Sequence, residues 1–290
     1  MASLRSVATP RQSKAAQYSP GDSVGGYRIQ SEIAAGGMGR VYAATAPDGQ
    51  DVALKLVKGS LADDPVFRRR FEREARSASR VSHPNVVPVL DSGVHDGVPY
   101  MVQRLVPGRS LEQEIDAEGP LPLKTAVKVA LQIAEALEAI HAEEIVHRDL
   151  KPANVMLDEQ GKVHITDFGL ARHTDDSLLT MPGQSVGSMD YMAPEQIRGQ
   201  EVSALTDVYA FGCLMYTCVA GKPPFADRHG VKILWAHLQD EPANPAAERD
   251  DLPEGFGEAI LSAMAKEPDK RPQSASDYAQ RIEQAAGTDD

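Results

Sequence analysis

The sequence predicts an α+β chain of two lobes, a small strand-rich lobe followed by a larger helical one. Two observations carry that expectation. Residues 27 to about 105 hold five short β-prone runs, and beyond Pro107-Gly108 apolar residues recur at helical spacing. A short connector between the halves implies a cleft, which is a usual place for a ligand.

The elements follow in order. The runs "YRIQSEI", "GRVYAATA", "DVALKLV", "NVVPVLD" and "PYMVQRL" read as strands, and Asp48-Gly49 is a hairpin turn signal between the second and third. One helix interrupts them over 65–81, with Pro65 in its first turn, where a missing N–H costs nothing. The segment 123–142 places Leu123, Val127, Ala130, Leu131, Ala134 and Leu137 on one helical face. Further helices are expected near 203–220, 228–238, 254–266 and 275–286. The domain plan is a tail over 1–26, a small lobe over 27–106, a large lobe over 107–286 and a short tail over 287–290. The first 26 residues are Ser-rich and carry one acid, Asp22; without an apolar stripe they read as a disordered tail, with a transit-type segment as the alternative.

Composition narrows the function classes. A net charge of −12 over 290 residues argues against nucleic acid as the main partner, because phosphate backbones need clustered Lys and Arg. No stretch approaches the roughly 20 apolar residues of a membrane helix. Cys213 and Cys218 share an apolar helical run, which suits two buried thiols in a reduced compartment rather than a bridge.

Chemistry concentrates in three places. "SEIAAGGMGRVY" sets Gly36, Gly37 and Gly39 between two strands, either as a phosphate cradle or as a flexible hairpin tip. "VALKL" puts Lys55 on the next strand, and Glu74 follows on the Arg-rich helix; alone, neither is unusual. "IVHRDLKPANVML" offers Asp149, Lys151 and Asn154, and "ITDFGLAR" adds Asp167. Two acids and an amide from adjacent loops supply hard oxygen ligands for a metal and a base for an incoming hydroxyl.

With "YMAPEQ" and "DVYAFG" following in order, the chain resembles the eukaryotic-type Ser/Thr protein kinases, and "GGMGRVY", "SHPNVVPV" and "DYMAPEQIRG" are most similar to the bacterial branch. The resemblance covers roughly residues 27–286. It implies the bilobal kinase fold, with one regulatory helix in the small lobe, and phosphoryl transfer from ATP with Mg²⁺, Mn²⁺ being the alternative ion. By position, it assigns Ile33, Ala34, Gly36, Gly37, Gly39, Val41, Ala53, Met156 and the connector residues Arg104 and Val106 to the nucleotide. Lys55 would hold the α- and β-phosphates and be oriented by Glu74. Asp149 would accept or orient the substrate hydroxyl, Lys151 would balance charge on the γ-phosphoryl, and Asn154 and Asp167 would ligate the metal. Glu195 would pair with Arg271, Asp207 would hold the catalytic-loop backbone, and His147 and Phe168 would pack. Lys151 matches the Ser/Thr pattern, and Ser188 stands where the family usually has threonine in the peptide-docking segment. Arg148 beside Asp149 implies activation by a phosphate, with Thr180 the best-matching acceptor and Ser177, Thr174 and Ser185 the others.

The resemblance also implies protein substrates, pairing through the small lobe, and a cytoplasmic chain that could be one domain of a longer membrane-anchored receptor. Three departures stand out: Ala34 for the first loop glycine, polar Gln103 at the back of the nucleotide pocket, and Arg104 where Glu is usual. Gln103 is expected to need a partner within the pocket. The alternatives are a pseudokinase that scaffolds or binds nucleotide without transfer, and a small-molecule phosphotransferase of similar fold. Lys55, Asp149, Asn154 and Asp167 argue against the first, and the "APE" segment against the second.

Overall fold

The computed structural model describes residues 17–37, 39–168, 186–247 and 249–287. The small lobe is an antiparallel six-stranded sheet in the order β1-β2-β3-β4-β6-β5. Its strands are β1 (Ser23–Val24), β2 (Tyr27–Ala35), β3 (Gly39–Thr45), β4 (Asp51–Val57), β5 (Val89–His95) and β6 (Val98–Arg104). A short helix α1 (Gly59–Ala62) and the longer α2 (Pro65–Ala78) lie between β4 and β5. The Asp64 side chain caps α2 by accepting from the Val66 N–H at 2.8 Å, one residue before the proline.

Two boundaries differ from the sequence expectation. Residues 23 and 24, placed in the tail by composition, form β1, and Val24 is fully buried. A single apolar residue in a polar stretch carries no periodicity, so only its pairing with Tyr27 reveals it. The strand expected at 85–91 starts at Val89, because Pro88 cannot donate to a ladder and Val86 instead bridges in parallel to Ile165. The expected turn at Asp48-Gly49 does join β3 to β4, with the Gly49 N–H donating to the Ala46 carbonyl at 2.9 Å; a second, two-residue hairpin is Asp96-Gly97 between β5 and β6, with φ of 49° and 82°, as a mirror-image turn requires.

A second, three-stranded sheet begins the large lobe: β7 (Gly108–Ser110), β8 (Val155–Asp158) and β9 (Val163–Ile165). The helices are α3 (Leu111–Glu118), α4 (Leu123–Ala142), α5 (Pro194–Ile197), α6 (Ala204–Ala220), α7 (Val231–Gln239), α8 (Phe256–Ser262) and α9 (Ala275–Ala285). Helix α3 was not among the expected elements, although it opens on a capping box. The Gln113 N–H donates to Ser110 Oγ at 3.2 Å, while the Ser110 N–H donates to Gln113 Oε1 at 2.9 Å.

The large-lobe core is built around α6, whose residues from Thr206 to Val219 are all buried, so the helix is apolar on every side. Helix α4 buries Val127, Ala130, Ala134 and Leu137 as its periodicity implies, together with Ile133 and Ile140; Leu123 and Leu131 pack at the margin. Both cysteines are buried free thiols. In the small lobe, Ile29, Tyr42, Leu54, Leu56 and Val102 form one cluster, and Phe71 and Ala75 of α2 pack on Val57 and Met101 in another. Among the described residues, no helix is long and apolar enough to cross a membrane.

Glu195 and Arg271 form a buried bidentate pair at 2.8 and 2.9 Å. Arg271 also donates to the carbonyls of Leu205 and Ala265, both at 2.8 Å. Burial pushes the Glu195 carboxyl up, but Arg271 and Thr206 outweigh it and hold the group below the usual range. The pair's stabilisation is therefore complete above the unfolded carboxylate range and fades as pH falls through the lower folded value. Arg271→Met would leave Glu195 charged and buried; it is expected to cost about 3–5 kcal/mol in urea unfolding at neutral pH, and a loss within error of zero would contradict this account.

Candidate active site

The glycine stretch is the tip of the β2–β3 hairpin. Ala34 pairs with Val41 and Ala35 with Arg40 inside the sheet, and Ala34 is not among the residues with positive φ, so its methyl meets no backbone penalty. Gly39 is required for a different reason: a Cβ there would lie 1.8 Å from the Leu56 carbonyl oxygen on β4. The Gly36 N–H donates to the Gly39 carbonyl at 2.8 Å, closing the hairpin on itself. Val41 and Ala53 are half-buried on β3 and β4, while Ile33 is exposed. Met156 on β8 is half-buried and Val106 in the connector is buried.

Register places Lys55 opposite Val41 and Met101 in the middle of the sheet. Its ammonium lies 3.0 Å from Asp167 Oδ1. The expected Lys55–Glu74 pair is not formed, which corrects the sequence reading. Glu74 is half-buried on α2, and burial raises its carboxyl to about 7 against the opposing charges of Arg148, Arg70 and Arg73. The nearby cations that act on this carboxylate are led by the catalytic-loop arginine, Arg148, and spacing along the chain carries no information about that choice.

The catalytic loop is fixed by hydrogen bonds rather than by regular structure. Asp207, fully buried in the first turn of α6, accepts the His147 N–H at 2.8 Å and the Arg148 N–H at 2.9 Å. His141 Nε2 lies 2.7 Å from the same carboxylate. Gln196 Nε2 donates to the Arg148 carbonyl at 3.0 Å. Neither role was anticipated: His141 lies in no motif, and Gln196, although it ends "YMAPEQ", shows its reach to Arg148 only in the fold. His147 is buried, with Nε2 3.1 Å from the Thr166 carbonyl and its ring tilted against Phe168; burial lowers its basicity, so it stands as a neutral packing group.

Around this loop the charged groups converge. Lys151 Nζ lies 2.9 Å from Asp149 Oδ2. Asn154 Nδ2 donates to the Asp149 carbonyl at 2.7 Å and to its Oδ2 at 3.1 Å, which leaves the Asn154 carbonyl oxygen as an acceptor. The Thr166 N–H donates to the Asn154 backbone carbonyl at 3.0 Å and so brings Asp167 alongside. Asp167 and Arg148 have φ of 62° and 68°, left-handed conformations that non-glycine residues hold only where the surroundings enforce them. The amide oxygen of Asn154 and the carboxylate of Asp167 are hard donors of the kind that hold a divalent ion when phosphate and water complete its shell.

Gln103 is buried at the back of the cleft, where Thr166 Oγ1 donates to its Oε1 at 3.4 Å, so it has a polar partner. Arg104 turns its guanidinium onto His164 Nδ1 at 3.1 Å. The expected phosphorylation sites Thr174, Ser177, Thr180 and Ser185 lie outside the described residues, as does the side chain of Ser188.

A family model for the protein kinase domain matches residues 27–282. The probable serine/threonine-protein kinase CE0033 of Corynebacterium efficiens is 39% identical over 268 residues, covering 89% of this chain and 41% of the relative. Serine/threonine-protein kinase PknH of Mycobacterium bovis is 38% identical over 271 residues, covering 93% and 46%. Among solved structures, the PknI kinase domain of Mycobacterium tuberculosis aligns with a TM-score of 0.77 at 29% identity, over 94% of this chain and 100% of that one. The chain thus spans less than half the length of these curated relatives.

The Glu74 environment sets a pH dependence. With a folded value near 7 against an ordinary 4.5, the native protein keeps a proton that the unfolded chain releases. Stability from that proton is complete below the unfolded value and is lost as pH rises through about 7. Glu74→Gln cannot titrate, so its stability should gain on that of the wild type from about pH 5 to about pH 8. Urea unfolding across that range checks this; parallel curves would refute it.

Proposed function

The chain belongs to the protein kinase family and is a serine/threonine-protein kinase domain, and on that premise we propose that it transfers the γ-phosphoryl group of ATP to Ser and Thr hydroxyls of proteins. The observation that supports this reading most is the linked set Lys55–Asp167, Asn154–Asp149 and Lys151–Asp149. Phosphoryl transfer needs little covalent help from a protein, so alignment and charge neutralisation supply most of the acceleration.

In this reading Asp149 orients the acceptor hydroxyl and takes up its proton. Lys151, already 2.9 Å from that carboxylate, offsets negative charge where acceptor and phosphoryl meet. Lys55 holds the α- and β-phosphates, Val41, Ala53 and Met156 enclose the adenine, and the backbone of Arg104 to Val106 meets its edge. Asn154 and Asp167 hold Mg²⁺, with Mn²⁺ the alternative, and the bound ion would neutralise phosphate charge. Lys151 in "HRDLKPAN" favours Ser and Thr as acceptors over Tyr.

Regulation follows from Glu74. A phosphate within 173–188, with Thr180 first in order, would attract Arg148, Arg70 and Arg73 more strongly than a single carboxylate does. Glu74 would then be released toward Lys55. Activation by autophosphorylation, between paired copies, is the consequence, and a rate independent of protein concentration would argue against the pairing.

Intact-mass spectrometry after incubation with ATP and Mg²⁺ tests the reading. The wild type should gain phosphate, and Asp149→Asn should gain it about 10²- to 10⁴-fold more slowly. Nucleotide binding with no gain in the wild type would favour a pseudokinase instead.

A further inference from the structure

We propose that Arg104, His164 and Asp158 form a side-chain strut that fixes the connector from behind and thereby sets nucleotide affinity; this rests on the nucleotide site proposed above. Arg104 is the last residue of β6, immediately before the connector, and its own N–H donates to the Pro88 carbonyl at 3.3 Å. Its Nη2 reaches His164 Nδ1 at 3.1 Å, and His164 Nε2 reaches Asp158 Oδ2 at 2.8 Å. The other Asp158 oxygen accepts the N–H groups of Gln160 at 3.0 Å and Lys162 at 2.8 Å, so the carboxylate is held by the turn it closes.

The proton positions follow from chemistry. A guanidinium has no acceptor, so Nδ1 of His164 must offer its lone pair and Nε2 must carry the hydrogen. The chain of bonds then runs in one direction, from Arg104 through a neutral imidazole to the Asp158 carboxylate. Burial pushes the Asp158 carboxyl up, but its bonds from His164, Lys162 and Gln160 outweigh this and keep it below the usual range. His164 is 5% exposed, so an imidazole there without both partners would leave a buried polar atom unsatisfied.

The placement gives the strut its consequence. Arg104 belongs to the six-stranded sheet above the cleft, whereas Asp158 and His164 belong to the three-stranded sheet below it. In that lower sheet His164 pairs in register with Met156, which would form the floor under an adenine. The strut therefore spans the lobes beside the connector whose backbone would meet the adenine edge, and reduces the ordering that binding would otherwise require. It also accounts for an arginine at the end of β6: its partner is an imidazole backed by a carboxylate.

Calorimetric titration with Mg·ADP tests this on the wild type, Arg104→Met, His164→Phe, the double variant and His164→Gln. Each of the first two single variants is expected to weaken binding about threefold to tenfold, the double variant no more than the worse of them, and His164→Gln less than His164→Phe, because its amide keeps a donor and an acceptor. Unchanged dissociation constants, losses that multiply in the double variant, or losses that follow the melting temperatures of the unliganded proteins would overturn the strut and leave the nucleotide site standing. Failure of the wild type to bind Mg·ADP would overturn both.

Discussion

A buried carboxylate organises this molecule. Asp207 sits in the first turn of α6, inside the most completely buried helix of the structure, and it is satisfied by two backbone N–H groups of the catalytic loop and by His141. A charge in such a place is tolerated only when its acceptor capacity is filled and a helix N-terminus faces it. The loop in turn depends on it: Arg148 is held at a φ that costs of order 1–3 kcal/mol for a residue with a side chain, and Asp207 with Gln196 over-determines that conformation. Asp149, one residue on, inherits its position from the core.

The second constraint is a competition among cations for too few carboxylates. Lys55 is taken by Asp167, Lys151 by Asp149, and Glu74 lies among Arg148, Arg70 and Arg73. Burial leaves Glu74 poised near neutrality, so its charge is weakly committed to that place. Small-lobe packing through Phe71 and Ala75 decides where α2 carries Glu74. A local electrostatic preference is thus coupled to the seating of an entire helix.

Much of the site was legible in the sequence because its residues fall in motifs whose spacing is set by loops of fixed length. Lys55, Asp149, Lys151, Asn154 and Asp167 were all named from such stretches, and the structure brings them into contact. Their supports were not legible. His141, Gln196 and His164 each bond a group tens of residues away, and Asp158 serves Arg104 only through His164; local sequence carries no information about such partners. Helix α3 is a different kind of miss, since the spacing of Ser110 and Gln113 is itself a local start signal.

The sequence by itself determined the two lobes, the main strand runs of the small one, most helices of the large one and the candidate reacting groups, because periodicity, turn chemistry and motif spacing are local properties of the chain. Only the tertiary structure decided that the cations acting on Glu74 are led by Arg148, that Val24 closes the sheet's edge, and that Arg104 finds a partner in His164. Those outcomes depend on which elements pack against one another, and a carboxylate or guanidinium chooses among partners by distance and burial after the core has set where each can reach.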